Sequence, residues 1–287
     1  MKRLFLVLLM CLIMATNSYA IDDWKQGTGT DAVVGTQNAS DLDTTITNYI
    51  QDPLDKLLTH HIWGCILTHT SDDVVTIEVG EVTCSNGAGT IRRMRKNIAA
   101  TTIDFTGVGV GGIDSGSARV VSTMYDIYAV ADANATTFTA IAAEQGNVLV
   151  DVTYYRYIGS AYNNSADSIE KFYFIGNSAT CKITYDDVYG NAELRVLNAG
   201  AAAGFTDVDC STMVPSTSTL ISFSYTCAGG ENFYLRVNGS SATNGYYRVE
   251  NIAGTTDVVD IPTDASQVVE YKGSSSTLYV KGYTFTR

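Results

Sequence analysis

RVVSTMYDIYAVADANATTFTAIAAEQGNVLVDVTYYRYIGSAYNNSADSIEKFYFI, residues 119–175, decides the fold. Three runs in it are rich in aromatic and β-branched side chains: 124–131, 148–158 and 169–174. Ala-Asn-Ala, Gly-Asn and Asn-Asn-Ser segments, which favour turns, punctuate them. Such runs bury their apolar faces only by pairing with one another and with strands on either side, so this block is expected to be the heart of a β domain. No reaction motif is written in it.

Upstream, 62–70, 74–82, 90–99 and 102–108 read as further strands separated by turn formers such as Ser71-Asp72-Asp73 and Ser85-Asn86-Gly87. VVTIEVGEV predicts one buried face carrying Val75, Ile77 and Val79 and a wet one carrying Thr76, Glu78 and Gly80. The glycine-rich stretch 107–116 is a loop or bulged edge. It is not a phosphate cradle, because no helix follows it. Downstream, seven short runs at 181–185, 192–197, 220–227, 233–237, 246–252, 267–271 and 277–285 alternate with turn segments, the pattern of a β-sandwich. The fold class expected is all-β: two consecutive antiparallel domains, 62–176 and 178–287, the second a β-sandwich. One short N-terminal helix at 53–60 lies within a 45–61 linker, with Pro53 in its first turn.

The first twenty residues, MKRLFLVLLMCLIMATNSYA, have the basic start, apolar run and small-residue cleavage site of a secretory signal. Residues 21–44 read as an extended, poorly buried arm. Cleavage would remove two of the 18 basic residues and leave 16 against 30 acidic ones, a net charge of −14. So acidic a surface disfavours nucleic acid and anionic membranes as partners. The expected location is extracellular or periplasmic. Five cysteines would remain, an odd number in an oxidising compartment. Proximity pairs Cys65 with Cys84 and Cys210 with Cys227, although connectivity is not fixed by spacing.

Residues with chemical potential are few. His60, His61 and His69 crowd near Cys65, but a strand holds Cys65 and His69 on one face only loosely, and a histidine cluster at a strand start is the plainer reading. The carboxylate pairs Asp22-Asp23, Asp72-Asp73, Asp186-Asp187 and Asp207/Asp209 read as solvent-facing turns before catalytic or calcium-binding groups. No metal site and no cofactor is expected. Arg92, Arg93, Arg95 and Lys96 form the one basic run: a solvated strand edge, or a contact for an acidic polysaccharide or a neighbouring subunit. Tyr162, Asn163, Asn164, Asn238, Asn244, Tyr246 and Tyr247, in or beside turns, are the candidate binding residues, since aromatic rings and amides suit sugar faces.

MYDIYAVADANATTFTA (124–140) followed by VTYYRYIGSAYNNSADSIEKFYF (152–174) resembles a module of bacteriophage and prophage tail-fibre or other virion structural proteins, and VTIEVGEVTCSNG (75–87) resembles its start. The likeness covers roughly residues 62–175. VDCSTMVPSTSTLISFSY (208–225) and FYLRVNGSS (233–241) resemble, more weakly, a β-sandwich that follows this module. The resemblance implies a non-enzymatic, adhesive or virion-like fibre part, frequently trimeric, and supplies no catalytic residue. A signal peptide departs from that pattern. The expectation is therefore a secreted, non-catalytic structural or adhesive protein, a homo-oligomer, presenting C-terminal loops to a glycan or surface receptor. The alternatives are a secreted carbohydrate-active enzyme with an accessory sandwich and a structural subunit of an extracellular filament.

Overall fold

Aromatic and β-branched side chains on both faces of the 119–175 block build two of the longest strands of the computed structural model. It describes residues 61–287 except 90, 177–179, 187, 189, 228–232, 242–246 and 250–256. The signal segment, the arm and the helix expected at 53–60 lie outside the described residues. Within them the chain is nearly all β, with one 3₁₀ turn at Ala192–Leu194.

In chain order the strands are β1 (Ile62–Gly64), β2 (Leu67–Ser71), β3 (Val74–Ile77), β4 (Gly80–Asn86), β5 (Arg92–Asn97), β6 (Thr101–Asp104), β7 (Thr123–Ala131), β8 (Thr139–Glu144) and β9 (Tyr154–Asn163). They continue as β10 (Phe172–Ile175), β11 (Thr180–Tyr185), β12 (Arg195–Asp209), β13 (Ser218–Cys227), β14 (Phe233–Val237), β15 (Tyr247–Val249), β16 (Asp257–Pro262) and β17 (Val268–Thr286). The first sheet runs β1-β4-β9-β7-β8 with β5 also on β4, and β2-β3-β6 make a small second sheet. The third runs β10-β11-β17-β13-β16, with β12 and β14 on β17 and β15 on β14. All the strand pairings are antiparallel.

β17 is the spine of the third sheet. Its first part pairs with β12 and β14, and its last part with β11 and β13. The two runs expected at 267–271 and 277–285 are therefore one strand. Gly282 sits where neighbours press from both sides, pairing with Thr184 and Ser222. A Cβ there would lie 2.0 Å from the Ile183 carbonyl oxygen.

The first and third sheets pack face to face through β9 and β17, giving a sandwich-like body. The Tyr283 hydroxyl donates to the Ser160 carbonyl at 3.0 Å, and Tyr157 and Phe285 meet edge to face. Gly159 makes room for this contact, since a Cβ there would stand 2.8 Å from Leu67 and 3.1 Å from Phe285. One core cluster extends from Ile62 to Phe285, and Leu58–Arg287 form one compact unit. The boundary expected at 176–178 falls inside the β10–β11 hairpin, where Phe172 pairs with Tyr185. The two β regions share their interior.

The alternation expected in VVTIEVGEV does not hold, for Thr76 and Gly80, expected on the wet face, are buried. Val75 and Ile77 are fully buried, but β3 ends at Ile77 and leaves Val79 exposed in the link to β4. The disulfides are also corrected, for the Cys65, Cys84 and Cys210 thiols are free. Each points at a main-chain carbonyl, Cys65 at Glu81, Cys84 at Ala129 and Cys210 at Val208. Burial pushes Cys65 up to about 11 and Cys84 to about 12.

Candidate functional site

The segment 162–164 is withdrawn from the surface. Tyr162 and Asn163 are buried at the end of β9. The Asn163 amide donates to Val120 O at 2.8 Å and Asp167 Oδ1 at 2.9 Å. Asn164 Oδ1 accepts from the Ala166 and Ser168 amides, while its own amide donates to Glu170 at 3.0 Å. The Asn163 and Asn164 amide N–H groups and Asn164 Oδ1 are spent on shaping the loop, while Asn163 Oδ1 is buried without a hydrogen-bond partner. Asn238 is half-buried in the turn after β14, and Tyr247 opens β15 opposite Leu235. Asn244 and Tyr246 lie outside the described residues.

His61 and His69 serve different places. His61 Nε2 stands 3.5 Å from Glu81, whereas His69 bonds the Ile169 carbonyl at 3.0 Å and meets Phe172 edge-on. Among the turn carboxylates, Asp73 binds Arg119 at 2.6 Å and Asp186 binds Lys171 at 2.6 Å. Asp209 accepts the Ser211 amide at 2.8 Å.

Asp126 was not singled out by sequence, and it is buried in the interior between β7, β9 and β17. Ser160 donates to it at 2.7 Å, Tyr157 is within 2.8 Å of Ser160 and 2.9 Å of Thr217, and Tyr128 also bonds the carboxylate. Burial drives its pKa up to about 6, against the Ser160 and Tyr128 hydrogen bonds. The cluster is one carboxylate among hydroxyls. Glycoside hydrolysis in its usual form needs two carboxylates across the scissile bond.

The outer face of β1, β4 and β5 has a different character. Register places Trp63, Glu81 and Lys96 in one row across the three strands, and Thr83 and Met94 in the next. The Thr83 amide bonds the His61 carbonyl, which continues β1 into that second row. Residues in successive same-face rows sit about 7 Å apart along a strand. Trp63 is 58% exposed and Met94 48%. The short strand β1 arises because Ile62 turns inward onto Val82 while Gly64 and Gly80 let the chains nearly touch. A Cβ on Gly64 would come within 2.5 Å of the Val79 carbonyl. Trp63, alternating with Ile62, is thereby left pointing out.

Charge on this face comes from the basic run. Lys96 Nζ holds Glu81 at 2.8 Å, which keeps that carboxyl below its ordinary value. Arg95 is buried and donates to the carbonyls of Met94, Asp132 and Ala133 at 3.2, 3.1 and 3.1 Å. Arg92 and Arg93 are half-buried and make no ion pair among the described residues. The far edge of β5 is tied down: Lys96 N bonds Thr136 O, and the Asn97 amide brackets Phe138 at both its N–H and its carbonyl. On the third sheet the charges are spent on each other, with Arg236 bonded to Glu270 and stacked 3.8 Å over Phe205.

No family model matches the chain, and no curated protein does. The basic run was legible as a candidate surface. Trp63 was missed, and its only signal was a lone tryptophan next to an isoleucine in a three-residue strand.

Proposed function

We propose that this is a secreted, non-catalytic adhesive protein, akin in construction to a phage tail-fibre component, which holds a glycan on the outer face of β1, β4 and β5. The observation that carries the reading is Trp63, 58% exposed on the same face as Met94 and Lys96, two strands away across β4. A flat indole next to hydrogen-bonding side chains offers one apolar plane and several polar groups, the chemistry a sugar ring presents in mirror form. A glycan array probed with the full chain and with Trp63→Ala tests it. Wild-type signal lost in the variant is the expected result, and an array blank for both would end the reading.

A second reading, self-assembly into a homo-oligomer or filament, rests on two loops. Asp114 Oδ1 accepts the Val150 and Asp151 amides at 3.0 Å each and thereby fixes 147–151 against 107–116. These loops hold Val108, Val110, Val148 and Val150 in the open, and exposed apolar tips on fixed loops suit contacts between copies. Light scattering on the full chain, compared with Val148→Asp/Val150→Asp, tests whether they do so.

A further inference from the structure

We propose that the ligand of the Trp63 face is an acidic polysaccharide, whose anionic groups are taken by Arg92 and Lys96; this rests on the glycan reading above.

The argument is one of charge placement. The chain carries a net charge of −12. Yet β1, β4 and β5 together contain four cations, Arg92, Arg93, Arg95 and Lys96, and a single carboxylate, Glu81. A positive stripe on a negative protein is not needed for solubility. It attracts the anions that the rest of the acidic surface repels. Arg95 cannot meet a ligand, because its guanidinium is folded onto three carbonyls, but its charge lies under the face undiminished by any carboxylate. Arg93 points to the opposite side of β5, across from buried Cys84, with its Nε buried, while Arg92 shares the outer face with Met94 and Lys96. Glu81 does not cancel the stripe. It is bonded to Lys96, and an ammonium has three donors, so two remain for a ligand.

Spacing favours a polymer over a single sugar. Strands lie about 4.8 Å apart, so Trp63 and Lys96, two strands apart, are separated by about 10 Å. Arg92 lies four residues from Lys96 along β5, about 13 Å away. One sugar seated on the indole would leave both cations to its neighbours in the chain. A guanidinium grips carboxylate or sulfate through two parallel hydrogen bonds, so Arg92 suits either anion.

Binding of the full chain to polygalacturonate, heparin, dextran and a 20-mer single-stranded DNA, measured at 50 and 200 mM NaCl, tests the proposal. Expected is binding to polygalacturonate or heparin in preference to dextran, weakening about tenfold between the two salts as counterions are released. A preference for polygalacturonate assigns carboxylate, and one for heparin assigns sulfate. Arg92→Ser and Arg92→Ser/Lys96→Ser should weaken this binding at least fivefold and flatten the salt dependence, and Trp63→Ala should remove it. All three variants should keep the wild-type melting temperature, since Trp63 and Lys96 are exposed and Arg92 is only half-buried. Dextran bound as well as the acidic polymers, with loss in Trp63→Ala, would leave the glycan reading standing and overturn this inference. DNA bound as tightly as the polysaccharides, with the same sensitivity to Arg92, would also overturn it. No binding to any of the four would remove both.

Discussion

The Ser160 hydroxyl donates to the Asp126 carboxylate at 2.7 Å, inside the body and away from any cation. The titratable side chains facing Asp126 are Tyr128 from β7, Tyr157 from β9 and Tyr283 from β17, and all three are themselves pushed up by burial. An unfolded aspartate titrates near 3.9, whereas this one titrates at about 6. Between those values the folded chain holds a proton that the unfolded chain has lost. The stabilisation from this site is therefore complete below about pH 4 and disappears as pH rises through 6, a swing on the order of 3 kcal/mol. Glu81, Asp104, Asp151, Asp167, Glu193 and Asp264 are shifted down by their hydrogen bonds and act in the opposite sense, losing stability as pH falls through their folded values. Urea denaturation should thus show greatest stability in mildly acidic solution. Asp126→Asn keeps an acceptor for Ser160 and should exceed wild type at pH 7.5, with the gap about halved at pH 5 and closed near pH 4. A gap that does not change with pH would show that the carboxylate is not the titrating group.

Arg287 clasps the start of the described chain. Its guanidinium donates to Cys65 O at 2.7 Å and Gly64 O at 2.8 Å, and lies 5.2 Å from the centre of the Phe174 ring. Arg156 in turn donates to the Arg287 carbonyl at 2.9 Å. Charged donors to buried carbonyls contribute about 1.5–3 kcal/mol each. Arg287→Ala should therefore cost about 3–4 kcal/mol in chemical denaturation. Arg287→Lys reaches with a point charge in place of a fork and should recover less than half of that.

The parts of this fold that could be read from the sequence are those where side chains alone decide the strand. β7 was expected at 124–131 and runs Thr123–Ala131, because Tyr125 and Ile127 have nowhere to go but a core. β8 is not among the runs that the sequence singles out, since TAIAAE has little β-branched or aromatic content. Its residues 140–143, three of them alanine, are nonetheless fully buried, because β7 pairs along one side and the 111–114 loop bonds along the other. The residues 272–276 look like a turn and are strand only because β12, β13 and β14 hold them, a tertiary effect that no local window contains. The same holds for the site. The Asn163-Asn164 pair looks like a loop offered to solvent, and only the register of β9 with β7, pairing Asn163 with Thr123, turns it inward. The basic run announced itself by composition, but its partner Trp63 lies 29 residues before Arg92 and joins it only through β4.

Arg119 joins two turns. It bonds Asp73 in the β2–β3 turn at 2.6 Å, and Asp167 in the loop after β9 through the carboxylate at 2.8 Å and through the carbonyl. Asp167 has a φ of 60°, a conformation costly for a side-chain-bearing residue and held here by its neighbours. Both aspartates are about half exposed, so solvent screening limits the ion pairs, and Arg119→Ala should cost only about 1–2 kcal/mol. The local effect should be larger. Limited proteolysis at 164–168 should accelerate in the variant, and in wild type it should accelerate with added salt. Equal cleavage in both proteins would mean that the loop holds itself.

Cys65 and Cys84 bear on whether the protein depends on an oxidising environment. Their thiols, raised to about 11 and 12, are buried and aimed at separate carbonyls. At pH 8 an ordinary thiol near 8.5 is about one quarter thiolate, while one at 11 is about one part in a thousand, so reactivity falls about two hundredfold before access is counted. Iodoacetamide at pH 8 should leave Cys65 and Cys84 unmodified in the native protein over a time that labels them fully in guanidinium, as read by peptide mass spectrometry. Melting temperatures with and without reductant should coincide. A drop in melting temperature on reduction, together with a Cys65–Cys84 cross-linked peptide in the unreduced sample, would restore the disulfide that proximity in sequence suggests.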